Sequence, residues 1–266
     1  MSKKVKTRTH LIIPDVQARI EDDFTFLSWV GQYIVDKAPD VVVCLGDFVD
    51  MKSLSSYDMG KKAAEGARVA KDIEAAEIAM DTLMTPLHTH NKHRAKNKKA
   101  KYKPDLIMTL GNHENRINRY VNDYPHMADY LSTDVLGFES WGWDVHQFLA
   151  PVVRDGVKYS HFFPRSPSGR VMQGTRGAPS ARAQVMREGM SCTAGHMQGL
   201  DWSVLPNGTG ANYGLIAGSC YQHEEDYLTL QGTQYWRGII LKHEVEDGMY
   251  DPMFVSLNYL ERRYGS

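Results

Sequence analysis

Five short segments in the first two hundred positions of this 266-residue chain carry residue types that can do chemistry. They are Asp15-Val16-Gln17, Gly46-Asp47-Phe48-Val49-Asp50, Gly111-Asn112-His113-Glu114, Ser160-His161-Phe162 and Gly195-His196-Met197-Gln198. Carboxylate and carboxamide oxygens with imidazole nitrogens are the groups that bind divalent ions and move protons. Taken singly, each has a plainer reading. An aspartate such as Asp15 after a strand is usually a turn or helix-capping residue. Gly111-Asn112 suits a turn, since both residues tolerate positive φ, although no turn type demands the His113-Glu114 that follows. His161, between Tyr159 and Phe162 in a strand pattern, resembles a satisfied core histidine. Order and position separate the sharp reading from the plain one.

The elements that must position these residues show in the hydropathy pattern. Apolar runs at 11–14, 41–45 and 106–110 alternate with amphipathic stretches at 22–37, 61–84 and 114–131. Such alternation predicts βαβ units with parallel strands. Ligands in such sheets sit beyond the carboxyl ends of the strands, where Asp15, Asp47 and Asn112-His113 fall. The second half reads as strands: a hairpin over 152–159 turning at Asp155-Gly156, then runs near 191–195, 212–219, 235–242 and 252–258. No Pro/Gly/Ser linker or internal repeat divides the halves, so residues 1–266 are expected to form a single domain with a shared core.

Composition narrows the function classes. With 42% hydrophobic and 24% charged residues, the chain is an ordinary globular one, neither disordered nor fibrous. Lys plus Arg number 31 against 32 Asp plus Glu, which argues against a wholesale polyanion binder but leaves room for local patches. Cys44, Cys192 and Cys220 are sparse, with no Cys-x-x-Cys spacing, and read as reduced buried thiols of a cytoplasmic protein. No apolar run approaches the roughly 18 residues a membrane helix needs, and the basic start is followed by too short an apolar stretch for a signal peptide.

Two segments lack acids. From Thr82 to Pro104 there are seven cations, Lys92, Arg94, Lys96, Lys98, Lys99, Lys101 and Lys103, beside His88, His90 and His93. The lack of apolar periodicity predicts a basic insertion near 82–104 that forms a solvated, flexible loop. Nucleic-acid contact is the minority reading, raised because a phosphodiester would approach the same sheet edge. From Gly156 to Arg187, arginines interspersed with Gly, Ser and Pro predict a loop able to meet anions. Four of the five tryptophans, Trp141, Trp143, Trp202 and Trp236, are expected to pack in the core or line the rim. His223, in the acidic stretch that follows, is expected to border the site.

The order of the five segments resembles the calcineurin-like metallophosphoesterases, whose pattern runs Asp-x-His, Gly-Asp-x-x-Asp, Gly-Asn-His-Asp/Glu, a lone His and Gly-His-x-His. In detail the chain looks most like the small metallophosphoesterases of bacteriophages, at Ser53 to Tyr57 and Tyr250 to Leu257. The resemblance implies an α/β fold with a two-sheet β-sandwich core flanked by helices, in four layers α/β/β/α. It implies two divalent ions, one held by Asp15, Gln17, Asp47 and Gln198, the other by Asp47, Asn112, His161 and His196. Gln17 and Gln198 stand where the family has histidine, and both fall on the first ion. A carboxamide oxygen is a harder, weaker ligand than imidazole, so Mn²⁺ is expected there, with Mg²⁺, Ni²⁺ and Zn²⁺ as alternatives.

By the same resemblance, His113 faces the leaving oxygen as a general acid and Asp50 orients it. Arg116, Arg119, Arg165 and Arg170 are the candidates for gripping phosphate oxygens. The implied activity is metal-dependent hydrolysis of phosphodiester bonds in nucleic acid or nucleotides, by water activated at a dinuclear centre, in the host cytoplasm if the chain is phage-encoded. The competing readings are a phosphomonoesterase acting on nucleotides or phosphoproteins, and a binding module that keeps the fold without turnover.

Overall fold

The computed structural model describes residues 7–56, 65–164, 180–223 and 235–265. Tyr57, Arg165, Arg170 and the acidic Glu224, Glu225 and Asp226 lie outside the described residues. The first half folds as β1 (Arg8–Ile13), α1 (Thr25–Lys37), β2 (Val41–Cys44), α2 (Val69–Lys96), β3 (Asp105–Thr109), α3 (Asn115–Asp123) and β4 (Asp144–His146). The second half gives β5 (Val152–Arg154), β6 (Val157–Ser160), α4 (Ala181–Glu188), β7 (Cys192–Ala194), β8 (Leu200–Pro206) and β9 (Ala211–Ala217). Then come β10 (Gly238–Glu246), β11 (Met249–Ser256) and α5 (Leu257–Tyr264).

These strands make a six-stranded sheet in the order β11-β10-β1-β2-β3-β4 and a five-stranded sheet in the order β5-β6-β7-β9-β8. Strands β1 to β4 are parallel, as are β6, β7 and β9, while β10, β11, β5 and β8 pair antiparallel. Successive side chains of a strand point to opposite faces. Leu11, Ile13, Val42, Cys44 and Met108 therefore pack outward beneath Leu27, Val30, Ala76 and Leu83 of α1 and α2. Ile12, Val41, Val43 and Ile107 face inward against Val157, Tyr159, Leu215 and Ala217 of the second sheet. Burying each such side chain contributes about 1.5–3 kcal/mol. Val185 of α4 covers Cys192 and Ala194 on the far face, completing the α/β/β/α layering.

The hairpin turns at Asp155 and Gly156, both at positive φ, as predicted. Helix α3 is shorter than its pattern because Pro125 forces Tyr124 out of helical geometry. The pattern missed β4, only three residues long, and β8, a half-exposed edge strand. The three cysteines are free and buried, and no described helix is long and apolar enough to cross a membrane. Of the tryptophans, Trp143 is buried, Trp202 packs on Tyr213 and Tyr250, and Trp236 meets Phe254.

The basic segment departs from its expectation. Residues up to Lys96, including His88, His90 and His93, form the end of the 28-residue α2, about 42 Å long. Lys, Arg and Ala are good helix formers, and cations in a last turn complement the helix dipole. Missing periodicity here signals a helix that has outrun the core: its last buried residue is Leu87. Nor does the segment share the sheet edge of Asp15 and Asp47. It returns through Tyr102, whose hydroxyl donates to Pro39 O ahead of β2, and enters β3 at its amino end.

Candidate active site

The parallel strands deliver their carboxyl ends to one side of the molecule. Asp15 follows β1, Asp47 follows β2, and Asn112 and His113 follow β3. From the second sheet, His161 follows β6 and His196 follows β7. Two backbone bonds join these ends: Gly195 N–H donates to His161 O at 2.9 Å and Cys220 N–H to Asp15 O at 2.7 Å.

Asp47, His161 and His196 each offer a ligand atom, all within 4.8 Å of one another. His161 Nδ1 lies 2.8 Å from Leu45 O, so a proton there bonds the carbonyl and turns Nε2 toward the centre. Around Nε2 stand Asn112 Oδ1 at 2.9 Å, Asp47 Oδ2 at 3.2 Å and His196 Nδ1 at 3.2 Å. Burial alone would lower the His161 pKa, but Asp47 overrides it and pushes it to about 9. Burial and the neighbouring His161 bring His196 down to about 4. Burial would raise Asp47, yet His113 and His161 hold it well below the usual carboxylate range. Burial pushes Asp15 up to about 7, with His161 opposing and Asp47 reinforcing.

The donor set fits divalent ions. Asp15 Oδ2 and Gln17 Oε1 are buried without a hydrogen-bond partner among the described residues, which costs about 1–3 kcal/mol each unless something positive satisfies them. Asp15 Oδ1 accepts from His196 N–H at 2.9 Å, and Gln17 N–H donates to Asp47 O at 2.8 Å. Gln198 Oε1 accepts the Tyr221 hydroxyl at 2.7 Å, which leaves its second lone pair. Gln17, Asp47, His196 and Gln198 all hold left-handed backbone, a strain of about 1 kcal/mol or more each that clusters at functional sites.

His113 sits beside this group. Its backbone N–H donates to Asp47 Oδ1 at 2.9 Å, and its Nδ1 lies 2.9 Å from Asp50 Oδ1. Burial lowers its pKa, but Asp47 and Asp50 outweigh burial and the net shift is upward. Arg19 Nε donates to Asp50 Oδ2 at 2.7 Å, and Arg116 Nη1 donates to Asp50 O at 2.7 Å while its Nη2 lies 3.2 Å from His113 Nε2. Arg116 is therefore inside the site, whereas Arg119 is exposed on α3 with no ion pair among the described residues.

The calcineurin-like phosphoesterase family model matches residues 9–164, more than half of the chain. The chain belongs to the calcineurin-like phosphoesterase family. It is also 26% identical over 224 residues to the Gene 54 protein of Mycobacterium phage L5, covering 81% of this chain and 77% of that protein. Membership makes it a metal-dependent phosphoesterase. The family match includes Asp15, Asp47, Asn112, His113 and His161, while His196 and Gln198 lie beyond it.

Three residues that serve this phosphoesterase site went unread in the sequence. Glu114 is fully buried, and its carboxylate accepts N–H from Asp47, Phe48, Val49 and Gly111, at 2.6 to 3.2 Å. It ties the turns after β2 and β3 together. Gly111 is needed there because a Cβ would collide with Asp47 Oδ1. Arg19 grips Asp50, and Tyr221 holds Gln198. His223, expected from the sequence to border the site, stacks on Tyr221 and pairs with Asp22 at 3.1 Å. Only Glu114 had a signal available, inside Gly-Asn-His-Glu.

Proposed function

We propose that this phosphoesterase hydrolyses phosphodiester bonds of nucleic acid or nucleotides, the whole chain acting as one domain. Asp15, Gln17, Asp47 and Gln198 would hold one divalent ion, and Asp47, Asn112, His161 and His196 a second, with Asp47 shared. When bound, such ions supply Lewis acidity and a nucleophilic water. His113 donates a proton from its imidazole to the leaving oxygen, and Asp50 fixes the ring and favours its charged form. Arg19 and Arg116 keep Asp50 in place.

The observation that carries this reading is the convergence of Asp47, His161 and His196 beside the oxygens of Asp15 and Gln17 that are partnerless among the described residues. A diester is favoured over a monoester by the cations at hand. Among the described residues, Arg19 and Arg116 are both committed to Asp50, and a monoester's second charge calls for further cationic contacts. Gln17 and Gln198 favour Mn²⁺ over softer-ligand Zn²⁺. The phage relative and the three buried thiols favour the cytoplasm of a host cell.

Hydrolysis of bis-p-nitrophenyl phosphate and p-nitrophenyl phosphate is to be compared with Mn²⁺, Mg²⁺, Zn²⁺ and Ni²⁺, for wild type and Asp47→Ala. Mn²⁺-dependent diester turnover lost in Asp47→Ala supports the proposal. Faster turnover of the monoester makes the protein a monoesterase. Silence with every metal moves it to a binding role.

A further inference from the structure

The far end of α2 is built unlike the rest of the surface. Beyond Leu87 the helix continues with no buried residue to Lys96, and the chain returns through Lys98, at positive φ, to Lys103. The return is ordered by side chains. Asn91 exchanges two 2.8 Å bonds with the Tyr102 backbone, and Arg94 Nε donates to Ala100 O. His88, Asn91, Lys92, Ala95 and Lys101 line an open groove of about 400 Å³ between helix and return. His88 stacks on Trp141 beside it, rings 5.6 Å apart and 10° from parallel.

Lys92, Lys96, Lys98, Lys99, Lys101 and Lys103 are all exposed, and none pairs with a carboxylate among the described residues. The nearest acid in sequence, Asp105, is already held by Arg8 at 3.2 Å and Arg154 at 4.0 Å. A chain of net charge −1 thus presents one end of almost undiluted positive charge. Lysines on both rims of a groove, on helix and return alike, match a ridge of closely spaced phosphates. A membrane contact would need exposed apolar side chains to insert, and the tip exposes only the alanines Ala95 and Ala100 among its cations, since Tyr102 packs against the core.

We propose that this basic tip is a binding surface for the phosphate backbone of nucleic acid, separate from the catalytic centre. The tip stands beyond the amino ends of β2 and β3 and the catalytic residues beyond their carboxyl ends, so the two are separated by at least about 13–17 Å, the span of those four- and five-residue strands at roughly 3.3 Å per residue. A mononucleotide cannot touch both, but a polymer can. The tip thereby adds a second contact for the substrate of the proposed function, and it rests on that reading only for its purpose.

The binding is tested without turnover, by fluorescence anisotropy of a labelled 20-base-pair DNA duplex in EDTA, from 50 to 200 mM salt. The comparison is wild type against the combined variant Lys92→Gln, Lys96→Gln, Lys98→Gln, Lys99→Gln and Lys101→Gln, whose exposed positions leave the core untouched. Five phosphate contacts predict a loss of about 500-fold in wild-type affinity across that salt range. The variant should bind at least about 100-fold more weakly at 50 mM salt, with a much flatter salt dependence. Equal affinity for the two proteins, or tighter capture of wild type by phosphatidylserine vesicles than by DNA, would overturn the proposal. Because EDTA silences hydrolysis, these outcomes stand whether or not the diesterase reading survives.

Discussion

The hydroxyl of Tyr221 donates a 2.7 Å hydrogen bond to Oε1 of Gln198, and both side chains are buried. That bond fixes which way the carboxamide points. Removing it in Tyr221→Phe should weaken Mn²⁺ activation by about 10–100-fold while the fold persists, as losing an outer partner of a metal ligand does. Titrating activity against free Mn²⁺ measures this. An unchanged activation constant would remove Gln198 from the ligand set.

Glu114 is a stability determinant as much as a site residue. In Glu114→Gln one carboxylate oxygen becomes an NH₂ facing backbone N–H groups, which leaves buried donors without acceptors. Metal-free protein should lose about 3 kcal/mol in urea denaturation, and activity should fall with it because the Asp47 and Gly111 turns lose their common anchor.

His113→Asn separates general acid from other roles. Alkoxide leaving groups, as in a nucleic-acid backbone, need the proton, whereas p-nitrophenolate departs without one. The variant should lose about 10²–10⁴-fold on DNA or RNA and about tenfold or less on bis-p-nitrophenyl phosphate. Equal losses on both would point to substrate positioning instead.

Between the sheets, Lys242 is fully buried, donating from Nζ to Thr193 Oγ1 at 2.6 Å and lying over the rings of Tyr159 and Tyr250. Burial drives its pKa well below the usual lysine range. The unfolded chain therefore binds a proton that the folded one does not, and stability rises with pH from the lowered value toward about 10.4. Lys242→Met removes this contribution. Stability of wild type relative to the variant should increase between pH 7 and 9; a constant difference would mean the amine stays charged over the two rings.

How far the sequence carried differs between the fold and the site. The motif order placed Asp15, Asp47, Asn112, His161 and His196 on one side, because strand ends are legible from apolar runs such as Val41 to Leu45. Tyr221 and Arg19 were not legible, since each acts through a contact made only when two sheets or two turns meet. The α2 tip misled for a related reason. Hydropathy periodicity reports burial, and a helix that projects past its core has none, so Lys92 to Lys96 looked like loop.

The proposed donors come from two sheets: Asp15, Gln17, Asp47 and Asn112 follow strands of one, His161, His196 and Gln198 follow strands of the other. An ion bound among them is thus a rivet through the open mouth of the sandwich, joining segments far apart in sequence. Such a rivet tightens the folded state in proportion to metal, by about 2.7 kcal/mol at a hundredfold excess over its dissociation constant. Chelation should lower the melting temperature and open the mouth to proteases while the helices under the first sheet stay protected. Resistance to cleavage at the turns after β6 and β7 would then report metal loading directly, with no substrate present.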